Sequence, residues 1–372
     1  MNAHSTDSFG GADRGMLRFA ATAALALTVA LVGACASLGP KTVAIDRFDY
    51  STAIADSWKQ QTLLNIVKVR YMDLPVFVDV ASVVAGYSLQ TGVSVNGVLS
   101  SSRAVQGDYL GAGGQAIYTD RPTITYVPLT GEKFLRGLIT PIDPKSIFSM
   151  LQSGYAADFI LGLPVESLNG VRHRSTAGGM LREADPEFVR ALQLIREVQV
   201  EGAVGMRIED TTAKGKTGVL FFRGDDVPQS IVDKSTELRQ LLRMSPDQNR
   251  FTLIYSPVRG GPAELAVNSR SMLQIMMAFA SYVDVPRQHL DANWAMPALD
   301  AGEGKRTQPV RIRSGVEPPA NAFAAVRYRD HWFWVDDGDL MTKRAFTAVM
   351  FFFTLAETGG NENLPLVTIP AQ

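Results

Sequence analysis

The sequence predicts an α+β fold in which mixed, mainly antiparallel sheets pack against helices. Patterns typical of helices and of strands alternate without the regular spacing of βαβ units, so a purely parallel sheet is not expected. Residues 87–95 alternate apolar and polar side chains with a period of two, which is typical of an antiparallel strand with one solvated face. A hydrophobic content of 46% with 20% charged residues is that of a folded globular chain.

The first predicted helix covers about residues 51–71. Ile54, Trp58, Leu64, Val67 and Tyr71 recur at three- and four-residue steps and form one apolar stripe. A Leu-Pro pair at 74–75 ends this helix. The alternating strand follows.

Residues 100–121 are rich in glycine and serine, and we expect a flexible loop there. The Gly-Ala-Gly-Gly run at 111–114 lacks the Gly-Lys-Ser/Thr ending of a phosphate-binding loop. A strand is predicted over 123–127, and short helices over 131–139 and 143–155. Asp143 is the expected N-cap of the second of these helices, with Pro144 in its first turn.

A longer helix is predicted to begin at Pro186, with Asp185 as its cap and Phe188, Leu192 and Ile195 as its buried stripe. Two modules follow. The first has the order β-α-β-β-α, with strands at 218–223, 250–256 and 263–267 and helices at 228–244 and 271–283. The second has strands at 309–314, 322–329 and 331–335, a helix at 340–357 and a last strand at 365–370.

Cys35 is the only cysteine of the chain, and it follows an apolar run of fifteen residues that begins at Ala20. A helix that crosses a bilayer needs about twenty residues, so a permanent span is not expected. Arg14 and Arg18 precede the run, as in a secretory signal, and Met16 is an alternative start.

The motif at residues 32–35, Val-Gly-Ala-Cys, resembles the lipobox of bacterial lipoproteins. That resemblance implies a diacylglycerol chain on Cys35 and cleavage before it, which leaves 338 residues. Two or more acyl chains give a stable membrane anchor. No aspartate follows the cysteine, which by the same resemblance implies the outer membrane, with the body facing the periplasm. A signal that carries a chance cysteine is the alternative.

The expected organisation has six parts. They are a signal peptide (1–34), the lipidated cysteine with a tether (35–49), an N-terminal α+β region (50–210), the β-α-β-β-α module (211–285), a linker or long loop rich in proline and glycine (286–308) and a C-terminal α+β region (309–372).

The charge and the residue patterns exclude several classes of function. A net charge of −1 without a basic cluster argues against nucleic acid as a partner. The mature chain has no thiol besides Cys35, which excludes disulfides and thiolate metal sites. We predict no metal site, no cofactor and no catalytic residue.

Three carboxylates next to an aromatic strand form the most conspicuous candidate site. Asp336, Asp337 and Asp339 do not continue into the oxygen ligands of a calcium loop, because Met341, Ala345 and Phe346 follow. A turn and a helix cap explain these carboxylates better.

Other residues that could carry chemistry are scattered along the sequence. The mature histidines, His173, His289 and His331, are far apart, and a triad assembled from distant segments stays open. A carboxylate pair for glycoside hydrolysis also stays open. Its candidates are Glu132, Asp143, Glu166 and Asp185.

Two apolar helical segments invite a ligand or membrane interpretation. Residues 348–356 are too few to span a bilayer, so we expect them in the core. Met272, Met276 and Met277 could line an adaptable interface, but core filling is the better explanation.

Four segments resemble parts of an uncharacterised family of proteobacterial envelope lipoproteins. They lie at 63–89, 121–134, 328–346 and 364–370 and span most of the mature chain. The resemblance implies an envelope location and one continuous globular unit, but no activity. The β-α-β-β-α order is also similar to the ring-building domains of secretins, as a fold-level analogy.

We therefore expect a lipid-anchored structural or interaction component of a bacterial envelope assembly, without evident catalysis. Its expected partners are the membrane, through the anchor, and an envelope protein or further copies of the chain. The alternatives are a hydrolase that acts on cell-wall glycan and a carrier of an apolar ligand.

Overall fold

The computed structural model describes residues 38–84, 86–98, 109–175, 182–211, 215–297 and 310–356. The helices, in chain order, are α1 (Leu38–Arg70), α2 (Gly131–Ile139), α3 (Pro144–Gln152), α4 (Ala157–Leu161), α5 (Pro186–Val200), α6 (Gln229–Leu241), α7 (Met272–Ala280), α8 (Arg287–Asp291) and α9 (Leu340–Ala356). The strands are β1 (Phe77–Val84), β2 (Tyr87–Val98), β3 (Tyr109–Asp120), β4 (Thr123–Leu129), β5 (Val165–Leu168), β6 (Val171–Arg172), β7 (Val204–Thr211), β8 (Gly215–Phe222), β9 (Arg250–Tyr255), β10 (Glu264–Ser269), β11 (Arg313–Gly315), β12 (Ala322–Tyr328) and β13 (His331–Asp336). The expected α+β class, with mainly antiparallel sheets, is confirmed.

Helix α1 begins at Leu38, well before the predicted start at residue 51. The segment that we expected to be a tether is therefore helical from Leu38 onwards. Pro40 is compatible with this because proline fits the first turn of a helix, and no glycine or proline interrupts the residues that follow it. The predicted stripe is buried at Val67 and Tyr71, but Ile54 is exposed.

The predicted flexible loop at 100–121 is wrong for its second half. Residues 109–120 form β3, which pairs antiparallel with β2 through twelve consecutive positions. Pairing with a regular partner strand overrides the low strand propensity of the glycines. Residues 99–108 lie outside the described part of the chain.

Two neighbouring segments form a separate short sheet. Strands β1 and β4 pair in a two-stranded sheet, and β4 confirms the strand predicted at 123–127. Its predicted span is extended by two residues, to Leu129.

The largest sheet has the strand order β6-β5-β10-β9-β8-β7. All neighbours are antiparallel except β9 and β10, which run parallel. Because β9 and β10 run parallel, the connection over 256–263 must return along the full length of a strand. When extended it spans up to about 27 Å, which is enough for a strand of about 20 Å. Helix α3 packs against β7, β8 and β9, and α5 contacts β6, β7 and α6.

The predicted β-α-β-β-α order is present as β8-α6-β9-β10-α7. The expected boundary between residues 210 and 211 nevertheless cuts through the six-stranded sheet, because β7 pairs with β8 and β5 pairs with β10. These segments therefore share one sheet with the N-terminal region. Strands β5, β6 and β7 were not predicted from the sequence.

Of the predicted helix caps, Asp143 and Asp339 are confirmed and Asp185 is not. The Asp143 carboxylate accepts a hydrogen bond from the Lys145 backbone N at 2.9 Å, and Ser271 forms a capping box with Gln274. Asp185 occupies the N-cap position of α5, but its carboxylate accepts from the Arg172 backbone N at 2.7 Å instead. Asp185 therefore ties the helix start to β6 and does not cap the helix.

A second, three-stranded sheet has the order β11-β13-β12. Arg329 and Asp330 join β12 to β13, and both have positive φ, as a tight hairpin turn requires. The segment expected to be a linker contains helix α8, in which His289 is buried. Residues 298–309 and 357–372, including the last predicted strand, lie outside the described residues.

Most of the side chains that we predicted to be buried lie in the core. Phe188, Phe352 and Met276 are fully buried, and burial of a phenylalanine side chain contributes about 1.5–3 kcal/mol. Met272 is also buried. Met277 is 46% exposed, because its position on α7 faces away from the core.

The chain divides into two units. One comprises residues 1–54 and 83–124, the other residues 55–82 and 125–372. In the described residues, no helix combines the length and the apolar character that a membrane span needs.

Candidate functional site

The β2–β3 hairpin is the most regular element of the first unit. Its register pairs Tyr87 with Asp120 and proceeds one for one to Val98 and Tyr109, without a bulge. The backbone register pairs Leu89 with Tyr118, Val93 with Gly114 and Val95 with Ala112. On one face of the hairpin Gln90, Ser94, Asn96, Gln115 and Ile117 are exposed, and Thr119 is half-buried.

The hydrogen-bond pattern shows where the outer backbone groups of the hairpin point. Just before β2, the Arg121 backbone N donates to the Gly86 carbonyl at 2.9 Å, so this opposed pair is hydrogen-bonded. Pairs alternate along an antiparallel ladder. The N–H groups of Thr91 and Val93, and those of Gly114 and Ala116, therefore point to the outer edges.

Both outer edges of the hairpin are open in the part of the chain that the structure describes. Within the described residues, no third strand pairs with β2 or β3. Edge strands are usually protected by lysine, proline or a bulge. Neither strand contains lysine or proline, and Asp120 at the end of β3 is the sole charged residue in the two strands.

The N-terminal half of α1 also exposes apolar side chains. Ile45 is 64% exposed and Phe48 is 72% exposed. The C-terminal half of the same helix is different, because Leu63 and Ile66 are fully buried there. An uncovered apolar stretch on a helix is a common feature of interaction surfaces.

Cys35 and residues 1–34, which we predicted to be a signal peptide, lie outside the described residues. Lipidation of Cys35 therefore stays a prediction from the sequence.

The three carboxylates at the end of β13 and after it form a turn and a helix start, as predicted. The Asp336 carboxylate accepts from the Gly338 backbone N at 2.9 Å. The Asp339 carboxylate accepts from the backbone N and the hydroxyl of Thr342, at 3.0 and 2.6 Å. Asp337 forms an ion pair with Lys343 at 2.7 Å. Among the described residues, no group of three or more His, Asp or Glu side chains could hold a metal ion.

The structure brings His289 and His331 together, which their sequence positions did not suggest. Their ring centroids are 4.6 Å apart, and both rings are buried. The Tyr71 hydroxyl forms a hydrogen bond with His289 Nδ1 at 2.7 Å, and Gln288 Nε2 lies 3.0 Å from His331 Nε2. Each histidine therefore has a neutral polar partner, and no nucleophile among the described residues completes a triad with them.

Burial shifts the pKa values of Tyr71 and His289. Burial raises the pKa of Tyr71 to about 12, against the opposing effects of Arg329 and Arg70. Burial also lowers the pKa of His289, and His331 and Arg329 lower it further. The tyrosine and His289 are thus uncharged near neutral pH, as expected for a structural network.

Arg329 covers the cluster. Its guanidinium lies over the rings of Tyr71, Trp294 and Tyr328, at 5.3, 5.5 and 5.6 Å from the ring centroids. It also lies 3.6 Å from the Asp73 carboxylate, which accepts a hydrogen bond from the Tyr328 hydroxyl. This arrangement joins the end of α1 to the β12–β13 hairpin.

The carboxylates considered for glycoside hydrolysis have separate roles. Glu132 pairs with Arg136, Asp143 caps α3 and contacts Lys145, and Asp185 accepts from the Arg172 backbone. Glu166 is half-buried in β5. None of the described hydrogen bonds joins two of these carboxylates.

A cavity of about 600 Å³ lies next to α2 and the end of α9. Phe134, Leu138, Ile142 and Phe353 form much of its wall, and Lys133 and Arg136 are the basic residues at its margin. Its size is in the range of small-molecule sites.

The Asn-Gly pair at 169–170 marks a hairpin that was not predicted, although its signal in the sequence is strong. Asn169 and Gly170 both have positive φ and form the two-residue turn between β5 and β6. An Asn-Gly pair between apolar residues is a well-known hairpin signal. The Asn169 side chain also donates to the Leu242 carbonyl and accepts from the Ala266 backbone N.

The comparisons with known proteins do not assign this chain to a family. No family model, no curated protein and no solved structure matches this chain.

Proposed function

We propose that this protein is a lipid-anchored, periplasm-facing component of a bacterial envelope assembly, and that copies of the chain associate through the edges of the β2–β3 hairpin. The observation that carries the proposal is the hairpin itself, which has twelve paired positions, no bulge and, within the described residues, two open edges. The lipobox-like motif that ends at Cys35 supports the anchor.

Open edges favour association because each one presents a row of unpaired N–H and C=O groups. A further strand can add to such an edge and satisfy these groups. An edge that must stay monomeric is usually blunted by charge or proline, and the two strands of the hairpin contain no proline and no charge except Asp120 at the end of β3.

A second copy is the partner that fits these edges most simply. Strands β2 and β3 are antiparallel, so the β2 edge of one copy can pair antiparallel with the β3 edge of the next. This contact joins two different surfaces and therefore repeats, which gives a closed ring or an open filament. The lipid anchor would raise the local concentration of copies at one membrane.

Proline substitutions at the outward N–H groups test this proposal. Thr91→Pro and Ala116→Pro each remove one outward donor without removing a donor to the partner strand within the hairpin. A hydrogen bond contributes roughly 0.5–1.5 kcal/mol net, so the double variant should associate about 5- to 150-fold more weakly. Thr91→Val and Ala116→Ser keep the backbone N–H groups and serve as matched controls.

The readout is the molar mass of the full chain, extracted from membranes in a nonionic detergent and measured by light scattering. We expect an oligomer for the parent and the control variants, and dissociation at lower protein concentration for the proline variants. A parent chain that is monomeric at all concentrations would rule out self-assembly.

A carrier of an apolar ligand is the second candidate, favoured by the cavity at α2. Thr140 lies at this cavity, and Thr140→Trp should fill part of it. Ile139 is 59% exposed outside the lining, so Ile139→Trp is the control. A native mass spectrum should show a bound molecule in the parent and the control, but not in Thr140→Trp. No adduct in any of the three would exclude this candidate.

A further inference from the structure

A second cavity, of about 380 Å³, has a different chemical character. His173 and Arg174 follow β6, Arg270 precedes α7, Tyr282 follows it, and Arg344 lies on α9. We call the space between them the arginine pocket. All of its lining residues belong to the larger unit of the chain.

The arginine pocket holds more positive charge than its surroundings neutralise. Within the described part of the chain, the ion pairs include none of Arg174, Arg270 or Arg344. Asp158 is the one acidic residue among those lining the pocket, and it is exposed. Glu166 raises the pKa of Arg270, but burial lowers it more.

Arg270 is held in place by carbonyl groups. Its side chain is deeply buried, since its exposed fraction is 6%. The guanidinium donates to the Leu163 carbonyl at 3.0 Å and to the Arg174 carbonyl. An arginine buried in this way keeps its charge. Among the described ion pairs no carboxylate contacts it directly, although a buried charge normally requires such a partner.

Two further polar atoms at the pocket lack a partner. Arg174 Nε and His173 Nδ1 are shielded from solvent, and no described residue forms a hydrogen bond with either. Another nitrogen of Arg174, Nη1, donates to the Tyr282 hydroxyl at 2.9 Å. Arg174 Nε is a donor, whereas His173 Nδ1 in the neutral ring is a donor or an acceptor according to the tautomer. Buried polar atoms without a hydrogen-bond partner are rare in folded proteins, and each one calls for an explanation such as a bound ion or ligand.

The rest of the wall is apolar. Phe159, Leu163, Phe279 and Val310 line the pocket together with the arginines. A ligand that satisfies both parts has an anionic head and an apolar body. Arginine is the side chain best suited to bind phosphate oxygens through paired hydrogen bonds.

We propose that the arginine pocket binds the phosphate group of a small phosphorylated amphiphile, with Arg174, Arg270 and Arg344 contacting the phosphate and the apolar wall contacting the ester chain. This binding site is independent of the assembly role, because none of its residues lies in the β2–β3 hairpin. The phosphate could belong to a membrane lipid or to a soluble ester.

Calorimetric titration of the full chain in nonionic detergent tests the site, with butyl phosphate as the probe. We expect butyl phosphate to bind at least tenfold more tightly than inorganic phosphate or butyrate. If inorganic phosphate bound equally tightly, this would contradict the claim that the apolar wall contacts the ester chain. Equal binding of butyrate would remove the preference for phosphate.

Arginine variants connect the binding to this pocket. Arg344 is exposed on α9 and has no hydrogen bond among the described ones, so Arg344→Gln should fold normally and bind butyl phosphate about tenfold more weakly. Arg174→Gln should have an equal or larger effect. Arg327→Gln, at an exposed position on β12, is the matched control and should bind like the parent. Unchanged affinity in both pocket variants would overturn the proposal.

Vesicles distinguish the two sources of the phosphate. Phosphatidylcholine vesicles with phosphatidic acid should raise the melting temperature of the parent, but not that of Arg344→Gln, if the ligand is a membrane lipid. A shift with butyl phosphate alone would identify a soluble ester. The absence of any shift with either probe would contradict the proposal.

Discussion

His173 should make the stability of this protein depend on pH in a way that one substitution removes. Burial lowers the pKa of His173 from 6.5 to about 3, and the charges of Arg270, Arg174 and Arg182 contribute to this decrease. The folded chain therefore keeps this imidazole neutral, while the unfolded chain takes up a proton below pH 6.5.

The sign and the size of the pH dependence of stability follow from this difference in pKa between the folded and the unfolded chain. Between pH 6.5 and pH 3 the unfolded state binds more protons at this position, so the stability contributed by His173 is complete above pH 6.5 and falls as the pH decreases. One pKa unit corresponds to about 1.4 kcal/mol, so the loss from pH 6.5 to pH 5 is up to about 2 kcal/mol.

The assay is urea unfolding of the full chain at pH 7.5 and pH 5.0, in chloride at constant ionic strength. His173→Phe keeps a ring against Phe188, whose centroid lies 4.7 Å away, and removes the titration. The decrease in the free energy of unfolding between the two pH values should be smaller in the variant by up to about 2 kcal/mol. Identical decreases in both proteins would refute a proton-free, buried His173.

Three further predictions follow from the described contacts and from the sequence. Tyr71→Phe leaves the buried His289 Nδ1 without its partner and should lower the free energy of unfolding by about 1–3 kcal/mol. The control Tyr126→Phe, at a 61% exposed position, should change it by less than about 0.5 kcal/mol. Equal effects of the two substitutions would contradict a structural hydrogen bond at Tyr71. Asn169→Ala loses two buried hydrogen bonds and a favourable residue for positive φ, so urea unfolding should show a loss of about 3 kcal/mol or more, and a change below about 1 kcal/mol would oppose this. Cys35→Ser should release the chain from washed membranes, and the mass of the native N-terminal peptide should include a diacylglycerol; an unmodified thiol would exclude the anchor.

Local signals predicted the helices of the larger unit well. The bounds predicted for α2 are those observed, and Asp143 with Pro144 marked the start of α3. The alternation of β12 and β13 and the cap at Asp339 also follow from neighbouring residues. These features depend on interactions within a few positions of the chain, which the sequence displays directly.

Features that depend on distant partners could not be predicted in this way. Strand β3 contains four glycines or alanines in a row and is regular because β2 lies beside it. Tyr71 and His289 are 218 positions apart, and no local pattern connects them. The arginine pocket likewise combines residues from α4, α7 and α9 with the segment after β6.

Cross-linking between two copies in intact cells tests the assembly claim most directly. One tagged copy carries Ser94→Cys in β2, and a second copy with a different tag carries Gln115→Cys in β3; both positions are exposed. A short thiol-reactive cross-linker should yield a covalent dimer that carries both tags, and Thr91→Pro with Ala116→Pro in both copies should reduce its yield strongly. If no product with both tags forms while each cysteine remains reactive, the hairpin edges do not join copies of this chain.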